Sequence, residues 1–269
     1  MKKIISIMMT LFVICIAFTG CQNDELKAAI TEYEYQVNRI DRMGIELDKL
    51  ILDSKNIIIE NNRILDESLI KALETSIEDA ESVKIEIPEQ PKKLEEITAL
   101  NETLKEVSYE DAMQKINEDK KALEMDIQKY SLVNNPSEEY IINCLEKVDG
   151  IVTIAAATEE NDPNGNLHKQ GGYTSRVFFS SDKLEFTHLT GDALIDEGTS
   201  AGGSIEVYAT KEYAERRNNY LGALDGGILS SGSHKVVGTV VVRTSDYLTA
   251  SQQKELEAAI IAEILKVEE

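Results

Sequence analysis

Apolar residues between positions 24 and 87 recur at steps of three, four and seven, the spacing of one face of an α-helix. They are Ile30, Tyr33, Val37, Ile40, Leu47, Ile51, Ile58, Leu65, Leu69, Leu73 and Ile77. Ser54, Asn61 and Ser68 interrupt the stripe, so the register is loose or the helix bends. About sixty residues of helix would reach about 90 Å. Such a helix cannot bury its apolar stripe on itself.

A second run of the same kind covers residues 92–132, after Pro88 and Pro91 have removed two backbone donors and favoured an extended turn. Its inward set is Leu94, Ile97, Leu104, Val107, Ile116, Leu123, Ile127 and Tyr130. The short connection predicts an antiparallel, coiled-coil-like helical hairpin over residues 21–135. Self-association as a parallel coil is the alternative. The hairpin would serve as a spacer, a partner-binding surface or a dimerisation arm.

The chain changes character near Pro136, since 13 of its 15 glycines lie between Gly150 and Gly238. Apolar and alternating runs predict strands over residues 151–157, 176–180, 204–209 and 235–243. Capping residues Ser137, Thr210 and Thr249 predict three helices, the first ending near residue 148 and the second near 224.

This order of elements predicts an α+β module over residues 136–269. We expect a mainly antiparallel four-stranded sheet with helices on one face, and we expect the 235–243 strand to be its longest and central member. The sheet would be mixed if the segment between Tyr208 and Lys235 crossed to a parallel neighbour. About 130 residues can bury an adequate core by themselves.

The first twenty-one residues have the pattern of an export signal. Lys2 and Lys3 precede an apolar run over residues 4–18 that is too short to span a hydrocarbon core of about 30 Å. The quartet 18–21, Phe-Thr-Gly-Cys, resembles the lipobox of bacterial lipoproteins, with Phe18 where that motif usually has Leu. The resemblance implies that residues 1–20 are removed, that Cys21 is diacylated, and that the protein is anchored on the extracellular face of the cell membrane. An ordinary cleaved signal with an incidental cysteine is the alternative.

Charge and cysteine content limit the classes of partner. The formal net charge is −21, and removal of residues 1–20 would make it about −23 because only Lys2 and Lys3 are lost. An acidic surface repels phosphate backbones, which excludes nucleic acid as an expected partner. Cys15 would leave with the signal and Cys21 would carry lipid, so Cys144 remains alone and no intrachain disulfide forms. Its helical spacing with Ile141, Leu145 and Val148 predicts a buried thiol rather than a catalytic one.

The loop after the first predicted strand is dense in oxygen ligands. Glu160, Asp162, Asn164 and Asn166 lie there, and the last three alternate as in the opening of a calcium loop. Leu167 stands where that loop needs Gly, and Tyr173 where it needs a bidentate Glu. Residues 162–165, Asp-Pro-Asn-Gly, are also a strong turn sequence. We therefore expect a turn whose polar side chains are candidate ligand-binding residues, with calcium as a weaker alternative and no other metal.

Three histidines, His168, His188 and His234, fall in predicted loops, none paired at the short spacing of a zinc site. Their loops, around residues 159–172, 187–203 and 225–235, are the best binding candidates, and whether they meet at one end of the sheet is left open by the sequence. Ser231 with His234 would make a hydrolase only with an acid and an oxyanion hole that the sequence does not indicate. No nucleotide, cofactor or hydrolase motif is present. The sequence thus predicts no cofactor and favours binding over catalysis.

Aromatic residues form a further candidate surface for a glycan or peptide. They are Tyr173, Phe178, Phe179 and Tyr208. Core packing is the simpler expectation for all four. Alternation places Phe179 with Val177 on the core face, which leaves Phe178 as the more exposed candidate. The chain has no Trp, the residue best suited to stacking on sugars.

Residues 148–264 resemble an uncharacterised C-terminal module of surface lipoproteins in Gram-positive bacteria. The matching phrases are residues 156–165, 171–174 and 232–244. The resemblance implies location and architecture but brings no mechanism. Together these features predict a lipid-anchored extracellular protein whose α+β module binds an unidentified extracellular protein or glycan. A structural or assembly protein acting through the helices is the alternative, and a cell-envelope hydrolase is a weaker one.

Overall fold

The first helical region is broken by a loop. The computed structural model describes residues 21–60, 63–184, 193–227 and 232–268, without the side chains of residues 21 and 22. Helix α1 spans Cys21–Glu60 and α2 spans Ser68–Ser82. In the loop between them, Asp126 accepts hydrogen bonds from the amides of Leu65 (2.6 Å) and Asp66 (3.2 Å). The predicted single helix over residues 24–87 is therefore wrong, because apolar periodicity continues across a loop that a distant carboxylate stabilises.

The second helical region is divided in the same way. Helix α3 spans Leu94–Lys105 and α4 spans Glu110–Leu132. Ser108 begins α4 by accepting a hydrogen bond from the Glu110 amide (3.2 Å). The Tyr109 side chain is buried, and its hydroxyl accepts a hydrogen bond from the Ile85 amide (3.2 Å). None of the described helices is long and apolar enough to cross a bilayer.

The described chain forms two compact units. The first contains residues up to 53 together with 76–116. In it the chain after α2 returns along α1, since Lys84 pairs with Asp48 (2.5 Å) and Tyr33 donates to the Pro88 carbonyl (2.7 Å). Its buried apolar core comprises Tyr33, Ile40, Leu47, Ile51, Ile77, Ala80, Ile97, Leu104, Tyr109 and Ile116.

The second unit, residues 54–75 and 117–269, contains an antiparallel sheet of five strands. They are β1 (Ile151–Ala156), β2 (Tyr173–Ser181), β3 (Gly202–Tyr208), β4 (His234–Val237) and β5 (Val240–Thr244). The spatial order is β1-β2-β3-β5-β4, and each neighbouring pair is antiparallel. The α+β class and the antiparallel sheet are confirmed.

The predicted strand over residues 235–243 is instead the hairpin β4–β5. Gly238 has φ +59°, and a Cβ there would lie 2.5 Å from the Val133 carbonyl oxygen. The turn thus needs glycine, and its five-residue β5 pairs with β3, which occupies the centre. The prediction of a longest, central strand here is wrong, because a run of β-branched residues looks the same on both sides of a tight turn.

Helices cover both faces of the sheet, so the prediction of one covered face is wrong. On one face α5 (Glu138–Leu145) and α8 (Ala250–Ile264) pack on Val177, Phe179, Ile205 and Val242. On the other, α7 (Lys211–Gly222) packs on Tyr173, Tyr208 and Val241. The short α6 (Leu194–Glu197) and a 3₁₀ turn (Gly198–Ala201) precede β3.

The predicted N-terminal caps of α5, α7 and α8 are confirmed. Ser137, Thr210 and Thr249 each accept a hydrogen bond from a backbone amide three residues on, as predicted. The prediction of a buried Cys144 is confirmed, as is core packing of the aromatic residues. Phe178 is fully buried, so the expectation that it is exposed is wrong. It lies on the α7 face of the sheet, which would be exposed to solvent if helices covered only the other face.

Candidate ligand-binding cleft

Asp162 organises the loop that follows β1. Its Oδ2 accepts hydrogen bonds from the amides of Asn166 (2.6 Å) and Leu167 (3.0 Å), and its Oδ1 accepts from the Asn164 amide (3.3 Å) and the Tyr173 hydroxyl. Burial alone would raise the pKa of Asp162, but these hydrogen bonds outweigh it and lower the pKa. The carboxylate is therefore ionised and holds the loop against β2.

Behind this loop, the α7 face of the sheet contains a buried arginine–glutamate cluster, made of Arg176, Glu206, Arg217 and Arg243. Arg217 donates to both Glu206 oxygens, through Nε (2.8 Å) and Nη2 (3.0 Å). Arg243 Nη1 donates to Glu206 Oε1 (3.1 Å), and Arg176 Nη2 lies 3.5 Å from the same atom. Three guanidinium groups thus surround one carboxylate whose side chain is fully buried.

The surrounding charge fixes the protonation state of the cluster. Burial alone would raise the pKa of Glu206, but attraction to Arg176, hydrogen bonding from Arg217 and the charge of Arg243 lower that pKa to about 2. Tyr208 donates to Glu206 Oε2 (2.9 Å), and burial together with the carboxylate raises the pKa of Tyr208. Burial and Asp162 raise the pKa of Tyr173 to about 12. At neutral pH the glutamate is ionised and both tyrosines are protonated.

An open cleft of about 540 Å³ lies between the Asp162 loop, the sheet and α7. It is lined by Asn164, Asn166, Gln170, Gly171, Gly172, Tyr173, Tyr208, Tyr213, Arg216, Arg217 and Tyr220. Tyr173 and Tyr208 form its inner wall, in edge-to-face contact with ring centroids 6.2 Å apart. Arg217 links the cleft to the buried cluster, because it lines the one and pairs with Glu206 in the other.

Helix α7 supplies the outer wall. The Arg216 guanidinium carbon lies 4.7 Å from the Tyr213 ring centroid, and Nη2 donates to the Gly171 carbonyl (3.3 Å). The Arg217 guanidinium carbon lies 5.6 Å from the ring centroid of Tyr220, which is exposed at the rim. Each arginine is thus positioned by an aromatic ring of its own helix one turn or less away.

Several of the predicted site residues converge on this cleft. Asn164, Asn166 and Tyr173 line it, and Asp162 holds the loop that carries them. Glu160 is exposed on the same loop but is not part of the lining. His168 pairs with Glu159 (3.0 Å) at the surface, outside the lining.

The other predicted site residues do not reach the cleft or lie outside the described residues. His234 contacts Asn218 (2.7 Å) and Asp225 (3.2 Å), at the C-terminal end of α7 and outside the lining of the cleft. Ser231 and His188 lie outside the described residues, so the Ser231–His234 hydrolase and the meeting of three histidine loops stay predictions. Cys21 begins α1, and the description does not extend to its side chain.

The geometry gives calcium little room at Asp162. Its side chain is fully buried, and both of its oxygens already accept hydrogen bonds from amides and a hydroxyl. A calcium ion would have to displace these donors. Elsewhere in the described ranges, no three His, Cys, Asp or Glu side chains are grouped so as to hold a metal ion.

Sequence reasoning missed the charged members of the site. Arg176, Glu206 and Arg243 each lie in a predicted strand, and a charge in such a position is rarely buried without a partner. Opposite signs on different strands were therefore an available signal for a buried ion cluster. Arg216 and Arg217 gave no signal of this kind, because charges on a surface helix are common.

Comparisons with known proteins add no assignment. No family model, curated protein or solved structure matches the chain.

Proposed function

We propose that this protein is a membrane-anchored extracellular lipoprotein whose α+β module binds an extracellular ligand in the cleft beside α7. The cleft is the observation that carries the proposal. It combines two arginines and four tyrosines with the arginine–glutamate cluster behind them, whose Glu206 side chain is fully buried. Its volume lies within the range of about 300–1,000 Å³ usual for small-molecule sites.

The protonation states support binding rather than catalysis. A general acid or base works best with a pKa near the operating pH. The pKa of Glu206 is about 2, and that of Tyr173 is about 12. Burial raises the pKa of the Cys144 thiol, which disfavours the thiolate that a nucleophile needs. Glu206 and Tyr173 stabilise the site, and neither they nor Cys144, which lies on the other face of the sheet, is suited to proton transfer at neutral pH.

The anchoring part of the proposal rests on the lipobox-like quartet at residues 18–21. Two acyl chains, at about 0.8 kcal/mol for each buried methylene, give stable membrane attachment where one chain gives marginal attachment. Attachment by charge is not expected from a chain of net charge −21.

Ligand screening with cleft variants tests the binding site. The full chain, purified in detergent, is titrated with neutral sugars, acidic sugars, amino acids and short peptides, and binding is followed by thermal shift and calorimetry. Arg216→Ala and Tyr220→Ala are expected to weaken binding at least tenfold. Lys254→Ala, an exposed cation on α8, is the matched control and should leave affinity unchanged. Binding that is insensitive to both cleft variants would disprove the assignment.

A structural or assembly role through the helices is the second candidate. In the first unit, Ile45 and Leu52 lie seven residues apart on one side of α1 and are 68% and 58% exposed. Exposed apolar residues at this spacing are typical of a helix that meets a partner. If this role is the right one, Ile45→Lys with Leu52→Lys abolishes attachment to the partner, whereas the cleft variants leave it intact.

A further inference from the structure

The side chains of the cleft favour one chemical class of ligand. The lining consists of four tyrosines, two arginines, three side-chain amides and two glycines. Among these described residues none is acidic and none is aliphatic. In a chain of net charge −21, a lining with cations and without acids departs from the general surface. Granting the proposed function, we propose that the ligand is an anionic saccharide, a sugar ring that carries a carboxylate or phosphate.

Arg216 is the receptor for the acidic group. Its guanidinium is exposed but held from two sides, by the Tyr213 ring and by the Gly171 carbonyl. Gly171 has φ +75°, a conformation that favours glycine, and a Cβ there would lie 2.6 Å from Arg216 Nη2, so the loop passes close to the guanidinium. A guanidinium fixed in advance loses little conformational entropy on binding, and its planar fork matches a carboxylate or phosphate.

Arg217 supports the same charge from the inner side of the cleft. Its bonds to Glu206 use two of its five N–H groups among the contacts of the described residues. The cluster to which it belongs has three guanidinium groups for one carboxylate. With Asp162, which lies 3.7 Å from Arg176, the described residues behind the cleft bring three guanidinium groups against two carboxylates. The field at the lining therefore favours an anion.

The remaining groups suit a sugar ring. Tyr220 is 58% exposed at the rim and can cover the C–H face of a ring. Asn164, Asn166 and Gln170 are exposed on the loop, and an amide donates and accepts at once, as neighbouring hydroxyls require. The lack of aliphatic lining disfavours an apolar peptide side chain, which is usually received by apolar walls.

Calorimetric titration of the full chain with matched probes tests the inference. Trigalacturonate and its methyl ester have the same rings with and without charge, while glucose 6-phosphate and inorganic phosphate test the phosphate form. We expect an acidic sugar to bind at least tenfold more tightly than its neutral or ring-free counterpart. Added salt should weaken the binding of the acidic sugar and leave the binding of the methyl ester unchanged.

Variants separate charge recognition from ring recognition. Arg216→Ala should lower the affinity for the acidic sugar by about ten- to hundredfold and barely affect the affinity for the methyl ester. Tyr220→Ala should weaken the binding of both probes. Tyr35 is an exposed tyrosine on α1, and Tyr35→Ala should weaken the binding of neither. Unfolding midpoints close to that of the unmodified chain verify that each variant is folded.

Each failure has its own signature. If neither acidic sugar binds, or if the methyl ester binds as tightly as trigalacturonate, the assignment of an anionic saccharide is wrong. Inorganic phosphate binding as tightly as glucose 6-phosphate would overturn the saccharide part. A neutral compound whose affinity still depends on Arg216 or Tyr220 leaves the cleft as the binding site and overturns only the ligand class. If no compound depends on either residue, the proposed function itself fails.

Discussion

Glu206 shows how one residue determines the interior of the α7 face. Its carboxylate accepts hydrogen bonds from Arg217, Arg243 and Tyr208 and lies near Arg176. Glu206→Gln keeps the shape but removes the carboxylate that accepts from Arg217 and Arg243 and lies beside Arg176. Removal of one partner from a buried ion pair typically costs about 3–5 kcal/mol. We expect a loss of that order in the free energy of unfolding measured by urea denaturation. Glu255→Gln, an exposed carboxylate on α8, is the control and should change it little.

The pH dependence of the same variant provides an independent check. The ordinary pKa of a glutamate is near 4.5, and in the folded protein the pKa of Glu206 is about 2. A lowered pKa stabilises the fold above pH 4.5, and this contribution is lost as the pH falls towards 2. The unmodified chain should therefore lose stability over that window more steeply than Glu206→Gln. Equal slopes for the two proteins would show that Glu206 is not the titrating group.

Among the elements, the β4–β5 hairpin depends on the backbone conformation of one turn residue, Gly238. The Thr239 amide in its turn donates to the Val133 carbonyl (2.8 Å), and the Thr239 hydroxyl accepts from the Asn135 amide (2.6 Å). The turn thus joins the sheet to the chain that follows α4. Gly238→Ala places a Cβ at positive φ against the Val133 carbonyl. Such strain costs of order 1–3 kcal/mol. We expect the free energy of unfolding, measured by urea denaturation, to fall by that amount.

Gly44→Ala is the matched control for the hairpin. It makes the same chemical change within α1, where an added Cβ meets nothing within 4 Å. Alanine favours helix over glycine by about 1 kcal/mol, so this variant should be unchanged or slightly more stable. A Gly238→Ala protein as stable as Gly44→Ala would show that the turn tolerates a side chain.

The elements also show what the sequence can and cannot predict. Ser137, Thr210 and Thr249 were identified as caps because a cap depends on residues three positions apart. The loop before α2 and the turn at Gly238 were not identified, because they depend on Asp126 and Val133, which are distant in the sequence. The site divides in the same way. Asn164 and Tyr173 were found from local composition, whereas the arginine–glutamate cluster depends on the register of paired strands.

For the whole molecule, the proposed lipid anchor at Cys21 leads to a prediction about membrane attachment. A net charge of −21 repels anionic lipid, so the proposed anchor would have to hold the chain through its acyl groups rather than through charge. If Cys21 is diacylated, the protein should incorporate a palmitate analogue and stay in the membrane fraction at high salt, because salt screens charge without weakening acyl burial. Cys21→Ser should abolish incorporation of the label and release the protein. Fractionation with in-gel detection of the label measures both.

Cys144→Ser is the control for that experiment, because Cys144 is the free cysteine buried in the α+β module. The residue is 4% exposed, and its Sγ lies 3.9 Å from the Glu263 carbonyl oxygen. This variant should keep both the label and the membrane location. Label retained by Cys21→Ser but lost by Cys144→Ser would disprove anchoring at Cys21. Release of the unmodified chain by salt would show that charge rather than lipid attaches the protein.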